Sequence, residues 1–137
     1  MLGQQIGHET GKVTSRRVLP GGDFRFVQME INFEAQGTML GEQGTDIGTY
    51  TMYERVGGQI YGEGQGILMT ATGEGAIWKG HGVGTPTPDG SVKFAFSVAY
   101  QADPNGKLAA LNGCLVIGEH TAGMDGSVET TVYEWKA

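Results

Sequence analysis

Residues 24–35, FRFVQMEINFEA, settle into strict alternation: Val27, Met29, Ile31, Phe33 and Ala35 share one parity, while Gln28, Glu30, Asn32 and Glu34 take the other. A period of two with one apolar set predicts a half-buried β-strand and assigns its two faces. Phe24 and Phe26 break that parity, which predicts a β-bulge or sharp bend near Phe26. Residues 12–19, KVTSRRVL, read as an earlier strand stopped by Pro20-Gly21-Gly22. A weaker strand at 38–43 and a clearer one at 47–56, IGTYTMYERV, follow.

From Gly57 onward glycine itself keeps the period. Gly62, Gly64 and Gly66 share one parity with Gly80, Gly82 and Gly84, and a hairpin turning near Gly73 sets Gly66 against Gly80, Gly64 against Gly82 and Gly62 against Gly84. The result is a bare strip down one face of the sheet. Gly57-Gly58, taken as a two-residue turn, sets Tyr53 against Gly62, Thr51 against Gly64, Thr49 against Gly66 and Ile47 against Leu68. Across 86–90, matching apolar with apolar sets Gly84 against Val92, Gly82 against Phe94, Gly80 against Phe96 and Trp78 against Val98. Asn105-Gly106, as a hairpin turn, sets Phe94 against Ile117, Phe96 against Leu115, Val98 against Gly113 and Tyr100 against Leu111. A last strand at 127–135 follows the turn 123–126, and its mixed parity assigns no inner face.

No stretch carries a helical period. The expected fold is therefore all-β: one domain over residues 1–137, an antiparallel up-and-down barrel of eight or nine strands, because closure hides every strand edge. A flattened two-sheet β-sandwich is the alternative.

Composition narrows the function classes. Glycine supplies 25 of the 137 residues but without a collagen-like triplet, which fits short strands and tight bends. The formal charge is −6, and the nine Lys and Arg are scattered, so nucleic acid is not an expected partner. Cys114 is the only cysteine, which excludes an intramolecular disulfide; Met1–Gly11 has neither a basic segment nor an apolar run of the signal-peptide kind, and no segment reaches the length of a membrane span. A cytoplasmic setting is the expectation, with no cofactor called for.

The inner face in this register offers Thr49, Thr51 and Tyr53 as hydroxyl donors and Trp78, Phe94, Phe96 and Tyr100 as aromatic walls. Met29, Ile31, Phe33, Leu68, Leu111, Leu115 and Ile117 supply apolar lining. An apolar chamber with a few polar contacts is the usual composition of a small-molecule site, although the same chains could fill a solid barrel. Arg55 shares the inner parity beside the Gly57-Gly58 turn, at the mouth near Ile60, where it could meet the carboxylate of a fatty-acid-like ligand.

Other constellations point elsewhere. The G-x-G-x-G spacing runs on into strand instead of a helix N-terminus, so it is not a phosphate loop. Glu63, Gln65 and His81 resemble an acid–base set but fall on the outer, solvated face. Glu119, His120 and Asp125 lack metal-ligand spacing and read as turn polarity, and Cys114 reads as packing. No catalytic residue and no metal site is assigned. Ile67, Met69 and Ile77 are apolar on the outer parity, which predicts a homo-oligomer, most simply a dimer.

The glycine-punctuated GGQIYGEGQGILMTATGEG, the following GAIWKGHGVG, and the late GKLAALNG leading to a strand ending in YEW together resemble the allene-oxide-cyclase-like branch of calycin-type barrels, especially its small bacterial members. The likeness spans about residues 48–136 and is one of pattern. It implies a barrel that oligomerises, and it admits isomerase or cyclase chemistry in which the chamber orients a reactive substrate. It carries no catalytic residue across to a position of this chain.

Overall fold

The computed structural model describes residues 1–21 and 27–137. Eight strands run in chain order: β1 (Leu2–Leu19), β2 (Gln28–Met39), β3 (Glu42–Glu54), β4 (Ile60–Thr70), β5 (Gly75–Pro86), β6 (Val92–Ala102), β7 (Leu115–Ala122) and β8 (Ser127–Trp135). Each pairs antiparallel with the next, and β8 returns to β1, closing an up-and-down barrel. No helix among the described residues is long and apolar enough to cross a membrane.

The turns set the register. In the hairpins closed by residues 56–58, 71–73, 88–90 and 124–126, the last loop residue is a glycine at φ +85 to +89° (Gly58, Gly73, Gly90, Gly126). Its amide donates to the carbonyl three residues earlier, as Gly73 N does to Thr70 O at 2.9 Å, while Thr70 N bonds Glu74 O at 2.8 Å across the loop. Each is a three-residue loop closed by a left-handed glycine, and in 56–58 the middle residue, Gly57, is at positive φ (+92°) as well. Glycine thus ends each of these loops. Taking Gly57-Gly58 as the whole of its turn and Gly73 as the centre of the other misplaces both registers.

The loop after β3 has three residues instead of two, so β3 is displaced by one: Tyr53 faces Tyr61, Thr51 faces Glu63, Thr49 faces Gln65 and Ile47 faces Ile67. A one-residue slip reverses every side chain. Thr49, Thr51, Tyr53 and Arg55 therefore do not share the inner parity; Asp46, Gly48, Tyr50 and Met52 do, opposite Leu68, Gly66, Gly64 and Gly62. β4 on β5 and β5 on β6 are each displaced by two, which leaves the faces as expected: Gly62 pairs Gly82, Gly64 pairs Gly80, Gly66 pairs Trp78, and Phe94, Phe96, Val98 and Tyr100 face Gly84, Gly82, Gly80 and Trp78.

Asn105-Gly106 does not close a hairpin. The connection from β6 to β7 carries a 3-10 helix at Ala109–Gly113, and Glu74 ties it to the barrel by accepting the amides of Lys107 (3.1 Å) and Leu108 (2.9 Å). Leu108 and Leu111 plug that end, at 0% and 1% exposure. The longer connection moves β7 by three positions: Val98 faces Val116, Phe96 faces Gly118 and Phe94 faces His120. Leu115 and Ile117 consequently turn outward, and His120 turns in.

Smaller departures follow the same logic. Residues 38–43 form the β2–β3 hairpin around Leu40-Gly41, both at positive φ, and are not a separate strand. β1 begins ten residues before the expected start and holds an irregularity between Val13 and Ser15. The bulge expected near Phe26 lies outside the described residues. β2 buries Ile31, Phe33 and Ala35 as its alternation predicts, and Val128, Thr130 and Val132 form the inner face of β8.

Candidate functional site

Rings cover the glycine strip. The Trp78 indole lies over Gly48 and Gly66, the Phe94 ring over Gly62 and Gly84, and the Phe96 ring over Gly118. The barrel interior holds a partly open cavity of about 100 Å³, whose walls include Trp78, Phe94, Phe96, Tyr100, Leu68 and Val98. Of the residues expected to bind a ligand, the four aromatic ones from β5 and β6 meet here. The other four do not. Arg55 stacks over the outer Tyr61 ring, 4.5 Å from its centroid, and Tyr53 bonds Glu63 at 3.3 Å on the outer face.

The interior is not uncharged. Glu9 from β1 and Asp46 from β3 line the cavity and hydrogen-bond to each other, and Trp78 Nε1 donates to Asp46 Oδ1 at 2.7 Å. Burial together with the neighbouring Asp46 charge pushes the Glu9 carboxyl up to about 10, and burial also raises Asp46. Two neighbouring buried carboxyls resist ionising together, so the pair retains a proton that a lone exposed carboxyl would lose, and the Trp78 N–H favours the charge on Asp46. Tyr100 lines the same cavity; burial and the two carboxyls raise its pKa, and its hydroxyl has no hydrogen-bond partner among the described residues.

A second polar group occupies the interior. His120 Nδ1 lies 2.8 Å from Thr130 Oγ1 and Nε2 lies 3.4 Å from the Tyr50 hydroxyl, with the Phe33 and Phe94 rings packed around the imidazole at centroid distances of 5.6 and 6.1 Å. Burial lowers the His120 pKa to about 4, so the ring is neutral at pH 7. A neutral ring with Nδ1–H donating to Thr130 and Nε2 accepting from Tyr50 uses both nitrogens.

On the outside, Tyr61 bonds Glu63 (3.2 Å) and His81 (3.3 Å), so the outward placing of Glu63, Gln65 and His81 holds, with Glu63 rather than Gln65 opposite His81. No group of three or more His, Cys, Asp or Glu residues fit to hold a metal ion occurs among the described residues.

No family model and no curated protein matches this sequence. Solved structures do. A protein of unknown function from Clostridium acetobutylicum superposes with a TM-score of 0.82 at 10% identity, over 97% of this chain and 98% of its own. A β-barrel-like protein from Acinetobacter baumannii AYE gives 0.81 at 12% identity, over 99% and 96%. An enzyme from Penicillium herquei gives 0.68 at 12% identity, over 96% and 92%. These likenesses establish the fold. At such identities they transfer no site.

Proposed function

We propose that the barrel binds a small, largely apolar molecule in its interior. The observation that supports this most is the cavity of about 100 Å³ walled by Trp78, Phe94, Phe96 and Tyr100, onto which the bare backbone of the paired Gly64 and Gly80 faces. The volume limits the ligand. An engineered apolar cavity of about 150 Å³ holds benzene, so a fatty-acid chain does not fit, and Arg55 on the outer face offers its carboxylate nothing inside. Access is from the end near Arg55 and Ile60, opposite the Leu108–Leu111 plug. Titrating benzene while following the Trp78 indole and the Phe94, Phe96 and Tyr100 ring signals by NMR tests the reading: saturable shifts confined to these residues support it, and none up to the solubility limit removes it in favour of a solid barrel serving as a structural module.

A second reading is an isomerase or cyclase that orients a reactive substrate. Its support is the presence of Glu9, Asp46, Tyr50 and His120 on the wall of the same cavity, together with the enzyme from Penicillium herquei among the structures of like fold. Turnover of a bound compound, lost in Trp78→Ala with the barrel intact, would favour it over simple binding.

We also propose a dimer built on the outer ladder. Ile47, Ile67 and Ile77 are directly opposite one another across β3, β4 and β5, with Met69 alongside, and each is 38–59% exposed. Light scattering over a wide concentration range that reports only a monomer would remove it.

A further inference from the structure

We infer that the acidic end of the cavity, formed by Glu9, Asp46 and Tyr100, is a binding site for a small aliphatic ammonium ion. The inference rests on the interior-binding reading above and specifies its ligand class.

Charge is the first reason. Asp46, only 7% exposed, faces the cavity beside the second carboxyl of Glu9 and accepts the Trp78 N–H at 2.7 Å, a bond that favours its ionised form; a carboxyl pair that shares one proton carries one negative charge there. The ion pairs among the described residues are His8–Glu129, Arg17–Glu30, Lys107–Glu42 and Lys136–Glu134, and none includes Glu9 or Asp46. The interior histidine does not supply the missing cation either, since it is neutral and bonded to Thr130 and Tyr50. A buried charge without a counter-charge is costly, and a cationic ligand offsets that cost.

Valence and walls are the second reason. An alkylammonium carries three N–H donors and no acceptor. The Asp46 carboxyl oxygens take the Trp78 N–H and the Glu9 proton and still have lone pairs to offer, a protonated Glu9 keeps its carbonyl oxygen, and the Tyr100 hydroxyl is the third acceptor. Trp78 and Phe96 add aromatic faces, which attract cations, while Val98 and Leu68 suit an alkyl body. A cavity about two thirds the size of one that holds benzene takes an amine of roughly five heavy atoms. The same charge repels carboxylate ligands.

The test compares isobutylamine with its neutral isostere isobutanol, each titrated by NMR at pH 7 into wild type, Glu9→Gln, Asp46→Asn and Tyr100→Phe. In wild type the amine should bind at least about tenfold more tightly than the alcohol. Glu9→Gln retains a neutral donor to Asp46 and should keep that preference. Asp46→Asn removes the charge and should abolish it, with the alcohol little changed; Tyr100→Phe should weaken only the amine, by several-fold, and serves if Asp46→Asn does not fold. Equal affinities in wild type, or a preference that survives Asp46→Asn, overturns the inference. If the alcohol binds and the amine does not, the ammonium site falls and interior binding stands; if neither binds, both fall.

Discussion

Two polar groups share the barrel interior, and they differ in one respect. The Tyr50–His120–Thr130 group is neutral and complete, because each imidazole nitrogen has a partner and the lowered pKa keeps the ring uncharged. The Glu9–Asp46–Trp78 group has its hydrogen bonds but keeps a charge that nothing in the described chain neutralises, beside a tyrosine hydroxyl with no partner. A satisfied buried cluster needs only the fold to explain it, since pairing is what makes burial tolerable. An unneutralised one points beyond the chain, to a ligand. That difference is what makes one end of the cavity a candidate site and the other a wall.

The largest way to test the contrast is pH. Glu9 titrates near 4.5 when unfolded and about 10 when folded, so between these values the folded state holds the extra proton and stability falls as pH rises. His120 works in the opposite sense over a different window: its pKa drops from 6.5 to about 4, so stability is lost as pH falls between those values. Between pH 7 and 9.5, below the ordinary tyrosine range, the carboxyl contribution dominates the change. Thermal melts should therefore show wild type losing at least about 2 kcal/mol between pH 7 and 9.5, with Glu9→Gln flat over that range. Equal slopes in the two proteins would mean that Glu9 is already ionised at neutral pH.

Next in size are substitutions that crowd the glycine strip. A Cβ at Gly64 would sit 2.6 Å from the Thr49 carbonyl oxygen, and one at Gly82 would collide with the Ala95 carbonyl and lie 2.7 Å from Phe96 Cβ. Neighbouring backbone cannot yield as a flexible side chain can, so Gly64→Val and Gly82→Val should each cost about 1–3 kcal/mol or more by denaturant titration. Thr130→Val breaks the complete group alone and leaves the His120 Nδ1–H buried without a partner, for about 1–2 kcal/mol. It should leave the alkaline pH slope untouched. The smallest effects belong outside: Gln65→Ala and His81→Ala, both on the exposed face, should stay within about 0.5 kcal/mol of wild type.

The barrel was legible because alternation and glycine parity persist through β2, β4, β5 and β6, and a sheet with that many strands must close. Registers were less legible, because a glycine signals that a loop is near without saying which of its positions the glycine takes. At Gly58 it is the last of three loop residues, and that one-residue difference carried Thr49, Thr51 and Tyr53 to the outside and Asp46 and Tyr50 to the inside. For β7 the strong Asn105-Gly106 signal was overridden by the 3-10 segment, whose leucines are needed to plug the barrel. The interior polar residues did leave a trace. Glu9 stands between Gly7 and Gly11, Asp46 between Gly44 and Gly48, and His120 two residues after Gly118. Each shares parity with glycines, as Trp78 does with Gly80 and Gly82. Following glycine parity through every strand, instead of carrying registers across assumed turns, finds all three.

The protonation state of the carboxyl pair bears most directly on whether the interior is a site and not filler. A carbon-13 NMR titration of the Glu9 and Asp46 carboxyl signals, assigned through Glu9→Gln and Asp46→Asn, reads it. Glu9 should remain protonated through pH 7 and titrate near 10, with Asp46 holding the single negative charge beside it. Both carboxyls ionising by pH 5, or neither ionised at pH 7, would contradict the account.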